Sequence, residues 1–217
     1  MVTGPPLRSR PVTSAGPAGL GDTVAAKRCG SYRTVSVGDV PRPPGGGGRC
    51  IMAGMRLRRW TDDDVEAFYD IYSRWEVMRH LGAHPRRVVA DREEALHRLA
   101  RMRSREDGPR GYWAIDVDGV PVGTVLLLPL QDAAGETGEV EVGWHLHPDH
   151  QGKGLATRAA RELLSRTGGR VLALTDEDNL ASQAVAGRLG MTDEGLTDRW
   201  YGITARQFAV TLPGPAR

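Results

Sequence analysis

From residue 55 onward the apolar positions switch between two periods, and the switches mark the elements. MRLRRW (55–60) is short and reads as a first strand. Thr61 with Asp64 three residues on is a capping-box variant that opens a helix, and Val65, Phe68, Tyr69 and Tyr72 give that helix an apolar face. A second short helix is predicted around Arg74–Leu81, stopped by Gly82. A third runs over about Asp91–Arg103, with Ala95, Leu96, Leu99 and Met102 on one side. The period then falls to two. YWAIDV and VPVGTVLLL are apolar runs joined through Asp118-Gly119, a tight-turn pair that predicts a hairpin. QDAAGETG (131–138) reads as a loop. In EVEVGWHL (139–146), Glu139, Glu141, Gly143 and His145 share one face, and Val140, Val142, Trp144 and Leu146 the other.

The next stretch, HPDHQGKGLATRAARELL (147–164), reads as a strand end, a glycine turn and a helix. Leu155, Ala156, Ala159, Ala160, Leu163 and Leu164 recur at helical spacing. Such a turn presents unpaired backbone N–H groups and the positive end of the helix dipole, a setting that suits a phosphate or pyrophosphate. An ordinary strand-to-helix turn would carry the same glycines, so the pattern alone leaves both readings open. A buried-looking strand (RVLALT), a helix over Asn179–Leu189 closed by Gly190, and late strands near Thr192–Thr197 and Arg206–Leu212 complete the order. Strands and helices alternate in the manner of one mixed α/β domain over residues 55–213.

Residues 1–54 break the pattern. They are rich in Gly, Pro, Ser and Arg, with Tyr32 as the single aromatic, and cannot bury enough apolar surface to offset their ordering entropy. A disordered tail is expected, and Met52 or Met55 is an alternative start. Seven basic residues against two acidic ones give this tail +5 of an overall +2, which leaves the remainder at −3. The basic balance therefore belongs to the tail and gives the folded part no nucleic-acid signature. Cys29 and Cys50 also lie there. From residue 51 onward there is no cysteine, which excludes thiol catalysis and disulfide scaffolding in the domain and fits a reducing, cytoplasmic setting. No apolar run approaches the length of a membrane span.

Three segments together carry a resemblance. Gln151, Gly152, Lys153, Gly154, Leu155 and Ala156 satisfy the acetyl-CoA signature Gln/Arg-x-x-Gly-x-Gly/Ala of the GCN5-related N-acetyltransferase (GNAT) superfamily. They follow a strand and open a helix, as that signature requires. NLASQAVAGRLGM (179–191) resembles the family's second signature. MRLRRWTDDDVEAFYDIYSRWEVMRHLG (55–82) is similar to the opening of its ribosomal-protein N-terminal acetyltransferase (RimJ/RimL-like) branch. The resemblance implies a mixed, mostly antiparallel twisted sheet flanked by helices. It also implies acetyl-CoA as co-substrate, an amine acceptor and no metal. The diphosphate would sit on backbone N–H groups of residues 151–157, Thr157 included. The cofactor arm would lie between the 139–146 and 171–175 strands, which splay in this family, with Asn179 in contact. Backbone N–H groups of Leu146 and His147 would hold the thioester carbonyl, whose charge grows on attack.

Direct acetyl transfer needs a neutral amine, so a carboxylate must take its proton. Glu141 holds the family's strand position for this base, and His145 is a reserve. Many members place a Tyr seven residues after the signature Asn to protonate the leaving thiolate, but here that residue is Ala186. Ser182 is the substitute and Tyr201 the second choice. The acceptor pocket is expected between the Ser73–Arg87 region and the Thr197–Ala205 loop, with Trp75, Trp200 and Tyr201 as walls. Two rivals remain. One is a non-catalytic acyl-CoA-binding sensor, consistent with Ala186. The other is a zinc hydrolase, because HLHPDH (145–150) matches the HxHxDH ligand pattern. A dinuclear site of that type needs further histidines downstream, and none follows His150.

Overall fold

Asp118 and Gly119 take positive φ angles of 52° and 90°, which close a two-residue turn whose twist matches the flanking strands. The hairpin they make lies within the larger sheet of the structure, a computed structural model that describes residues 23–28, 31–36, 54–82, 84–132 and 135–214. The chain divides into two units, 1–50 and 51–217. In the first, β1 (Thr23–Arg28) and β2 (Ser31–Ser36) pair antiparallel, with Thr23 opposite Ser36. An isolated pair of this kind is marginal in water. The remainder of the expected tail, apart from Gly54, lies outside the described residues.

The second unit runs β3 (Met55–Arg59), α1 (Val65–Tyr72), α2 (Trp75–Met78), α3 (Arg92–Arg103), β4 (Gly111–Val117) and β5 (Val120–Asp132). It continues with β6 (Gly135–Leu146), α4 (Leu155–Leu164), β7 (Gly169–Thr175), α5 (Leu180–Arg188), β8 (Thr192–Thr197) and β9 (Ala205–Leu212). The seven strands order as β3-β4-β5-β6-β7-β9-β8. Every neighbouring pair is antiparallel except β6 and β7. This is the mixed, mostly antiparallel α/β sheet flanked by helices that the resemblance implies. Among the described residues no helix is long and apolar enough to cross a membrane.

Each face of the sheet carries a core. Leu155, Ala159, Ala160 and Leu163 of α4 pack on Val125, Leu127, Val140 and Val142, all buried, and Ala186 of α5 joins the same cluster. On the other side Phe68, Ile71 and Tyr72 of α1 meet Ala95 and Leu99 of α3 and the buried Trp60. Truncating a fully buried leucine such as Leu163 in this packing costs about 2–5 kcal/mol. The polar start of α1 is locked as well. The Asp64 carboxylate accepts from the Thr61 N–H (2.8 Å) and hydroxyl (3.0 Å), which realises the predicted box. Arg58 donates to both Asp64 oxygens (2.7 and 2.8 Å) and to buried Asp116 (2.7 Å), so one guanidinium ties β3, the helix start and the hairpin together.

Two local expectations change. The predicted loop 131–138 is mostly strand, since Gln131 pairs with Glu136 and Asp132 with Gly135 across a short connection. Backbone pairing does not require apolar side chains, so a polar strand end is invisible to periodicity. The predicted Arg74–Leu81 helix spans only Trp75–Met78, and then tightens to an i→i−3 bond from Leu81 N–H to Met78 O (3.1 Å).

Candidate active site

β5 and β6 pair without a break from Pro129–Val140 to Gly123–Leu146, but β6 meets β7 only at Val140–Val171 and Glu141–Leu172. Beyond Glu141 the two parallel strands separate, and their facing edges carry main-chain groups without ladder partners. The ladder also decides which donors face the gap. His147 N–H bonds Val122 O (2.9 Å), and hydrogen-bonded positions alternate along an antiparallel pair, so Leu146 and Trp144 turn their N–H groups to the β7 side. Leu146 is therefore placed to donate into the gap. His147 is not, which corrects its expected role. Its main chain is spent on β5, and its buried ring accepts from Asp149 N–H (3.2 Å) and lies 3.4 Å from an Asp70 oxygen.

The glycine turn follows directly. Gly152 and Gly154 have φ of 72° and 76°, a left-handed backbone that other residues adopt at a cost of about 1–2 kcal/mol. A Cβ at either would meet nothing within 4 Å, so geometry rather than crowding demands glycine, and the surface of the turn stays open. Gln151 folds back, its amide donating to Leu146 O (3.1 Å), which fastens the turn to the end of β6. The first intrahelical bond of α4 is Arg158 N–H to Gly154 O (3.1 Å). The N–H groups of Leu155, Ala156 and Thr157 thus have no helical carbonyl and point out of an N-terminus beside exposed Lys153. The Thr157 side chain faces inward, where its hydroxyl accepts from Arg188 (3.3 Å).

Glu141 sits where the strands part. Its surroundings are protein and its surface exposure only partial, and this burial pushes its carboxyl up to about 7 against a hydrogen bond from the Tyr201 hydroxyl (2.7 Å). Glu139, one face-mate back, is bound by Arg170 (2.5 Å) and Arg199 (3.1 Å), a structural ion cluster. Burial lowers His145 to about 4, and its Nδ1 meets the Tyr72 hydroxyl (3.0 Å), which in turn meets Thr124 (2.8 Å). So weak a base does not serve as the reserve expected of it. Across the gap, Asn179 caps α5 by accepting from Ser182 N–H (3.2 Å). The Ser182 hydroxyl is half-buried and takes no hydrogen-bond partner among the described residues.

A split parallel pair, an anion-ready turn and a carboxylate at the fork coincide in one place. Residues 55–192 match the acetyltransferase (GNAT) domain family. The chain belongs to the GNAT acetyltransferase family. Solved structures agree on the fold. RimL, a ribosomal L7/L12 α-N-protein acetyltransferase in complex with coenzyme A, is 18% identical, with a TM-score of 0.60 over 74% of this chain and 95% of that one. YncA from Salmonella typhimurium, with its cofactor acetyl-CoA, is 20% identical at 0.56 over 76% and 98%. An aminoglycoside acetyltransferase in complex with coenzyme A is 17% identical at 0.58 over 72% and 94%.

In this acetyltransferase the expected pocket segments do meet. Trp75, His80, Asp176, Ile203 and Thr204 are among the residues lining a cavity of about 700 Å³. Trp200 is not a wall, however. It is 1% exposed and packs with Leu130, Leu172 and Ala209, because its indole N–H finds Gln207 (2.6 Å) inside the protein. The HLHPDH run does not gather as a metal site. His145 and His147 turn to separate partners, and among the described residues the His/Asp group that closes up is His80 with Asp176 and Asp178. Sequence reading missed Tyr112. It shares the sheet face of Glu141 and feels its charge, a neighbourhood created by cross-strand register alone.

Proposed function

We propose that the chain transfers the acetyl group of acetyl-CoA to a primary amine by direct attack within a ternary complex, a protein N-terminus or a small amine being the acceptor class. The observation that carries this is Glu141, raised to about 7, at the fork between β6 and β7. At neutral pH such a carboxylate is ionised in about half the molecules and matched to take a proton from an ammonium group. The N–H groups at the start of α4 fit a diphosphate, and the β6 edge with Leu146 N–H fits a carbonyl that gains charge. Acetyl-CoA supplies the activated acyl group. Holding both reactants in one cleft removes the cost of a bimolecular encounter. Ser182, whose hydroxyl has no competing bond, is the donor to the departing thiolate, and Asn179 leaves its amide N–H groups for the cofactor arm. Tyr201 is less suited, since burial and the Glu141 charge raise its hydroxyl and it already donates to that carboxylate. The absence of cysteine from residue 51 onward supports a reducing, cytoplasmic setting.

Thiol release against a panel of peptides and amines tests the reading on wild type and Glu141→Gln. Wild-type kcat/KM should gain an ascending limb near pH 7. The variant should lose roughly 10²–10⁴-fold and that limb with it, while calorimetry shows unchanged acetyl-CoA affinity. Tight cofactor binding without turnover of any acceptor would instead make the protein an acyl-CoA sensor.

A further inference from the structure

A second cavity of about 440 Å³ opens on the α1–α3 side of the sheet, with His145 and Tyr112 in its wall. Five arginines line it and no carboxylate does. Three are already committed: Arg86 to Asp176 (2.7 Å), and Arg87 and Arg98 to Glu94 (2.7 and 2.8 Å). Arg101 and Arg105 make no ion pair among the described residues, and Glu106 beside them is engaged by Arg59 (3.5 Å). Tyr112 in this wall shares the sheet face of Glu141. Burial raises its hydroxyl, the Arg105 cation lowers it, and the Glu141 charge raises it again. The cavity floor is apolar, with Phe68, Met78, Leu81 and Met102.

We propose that the acceptor amine carries a carboxylate, which Arg101 and Arg105 bind in this cavity while the amine lies at Glu141. The inference rests on the N-acetyltransferase reading and adds the acceptor's chemistry to it. The net −3 of residues 55–217 does not oppose it, because short-range pairing with two guanidinium groups that have no carboxylate partner among the described residues outweighs a weak, screened overall field. The apolar floor takes an aliphatic or peptide linker between amine and acid. A short acidic peptide N-terminus and an amino-acid-like small acid share this chemistry.

The test uses the full chain and matched acceptors: peptides with a free N-terminus bearing Asp, Asn or Lys at the second and third positions, and a small amino acid beside its amide. Acidic members should exceed their neutral partners by about 10–100-fold in kcat/KM, mainly through KM. The peptide and small-acid arms show which source is preferred. Arg101→Glu/Arg105→Glu should reverse the order toward the Lys peptide, a swap that mere loss of structure cannot produce, with melting temperature and acetyl-CoA affinity held. Neutral or cationic amines preferred by wild type would overturn the proposal and leave the transferase reading intact. If no acceptor turns over, calorimetry with the Asp peptide on the CoA-saturated protein decides. Binding abolished by the double reversal keeps the site, and no binding removes it.

Discussion

Glu141→Gln should make the protein more stable while removing the proposed base, and the gain should depend on pH. In the unfolded chain this carboxyl ionises around 4.5, and in the folded protein burial holds its proton until about 7. The sign follows from linkage. A raised carboxyl pKa leaves stability intact at low pH, and stability falls as pH climbs from about 4.5 to about 7, where the folded group is forced to ionise. A shift of this size is worth about 3 kcal/mol above pH 7. Glutamine keeps an oxygen for the Tyr201 hydroxyl and never ionises, so the variant escapes that cost. For a domain of this length the gain corresponds to a rise of about 5–10 °C in Tm at pH 8. Melting curves of both proteins at pH 5 and pH 8 isolate the effect, because any packing change from glutamine appears at both values and cancels. A difference equal at the two pH values, or a variant less stable at pH 8, would refute the claim that Glu141 is held in a strained, poorly solvated state.

Arg58→Met leaves the Asp64 and Asp116 carboxylates without their shared cation, and should cost about 3–5 kcal/mol in urea unfolding at pH 7. Burial alone would raise both carboxyls, but the bonds from Arg58 and nearby main-chain donors hold them below their usual range, so the penalty should shrink below pH 4 as they protonate. Gly123→Ala drives a Cβ to 2.3 Å from His145 O and 3.1 Å from Leu146 Cα. It should cost about 1–3 kcal/mol and lower kcat more than acetyl-CoA affinity, since it displaces the Leu146 donor. Gly154→Ala puts alanine at φ 76° with no steric obstacle, so denaturation should show a loss of only about 1–2 kcal/mol. Calorimetry on the same variant should show weakened acetyl-CoA binding, because relaxing that angle turns the first N–H groups of α4.

Along the chain, what was legible was whatever depends on local order. The Asp118-Gly119 hairpin, the α4 face from Leu155 to Leu164 and the helix closed by Gly190 are properties of consecutive residues, and each stands where periodicity and turn chemistry place it. The glycine turn that opens α4 was legible for the same reason. The roles of His147 and Trp200 were not. His147 N–H is claimed by Val122, twenty-five positions earlier, and Trp200 is drawn inward by Leu130 and Leu172. Neither neighbour exists until the sheet closes.

Arg101 and Arg105 show the harder case, because their signal was present and ambiguous. Arg98, Arg101 and Arg105 recur at near-helical spacing beside the apolar positions Leu99 and Met102. A basic stripe of that form is the ordinary solvated face of an amphipathic helix. What sets it apart is the material opposite: Leu81, Gly82 and Pro85 on one side and Tyr112 of β4 on the other line a partly apolar cavity with the stripe, although Arg101 and Arg105 themselves stay exposed. Two guanidinium groups acting on one anion supply more charge-assisted hydrogen bonds than a lone arginine can. The acceptor site proposed above is therefore written in the pairing of a helix with a loop and a strand, none of which encodes it alone. The signature turn, by contrast, is written in six consecutive residues, and that difference explains why the reaction class was readable earlier than its substrate.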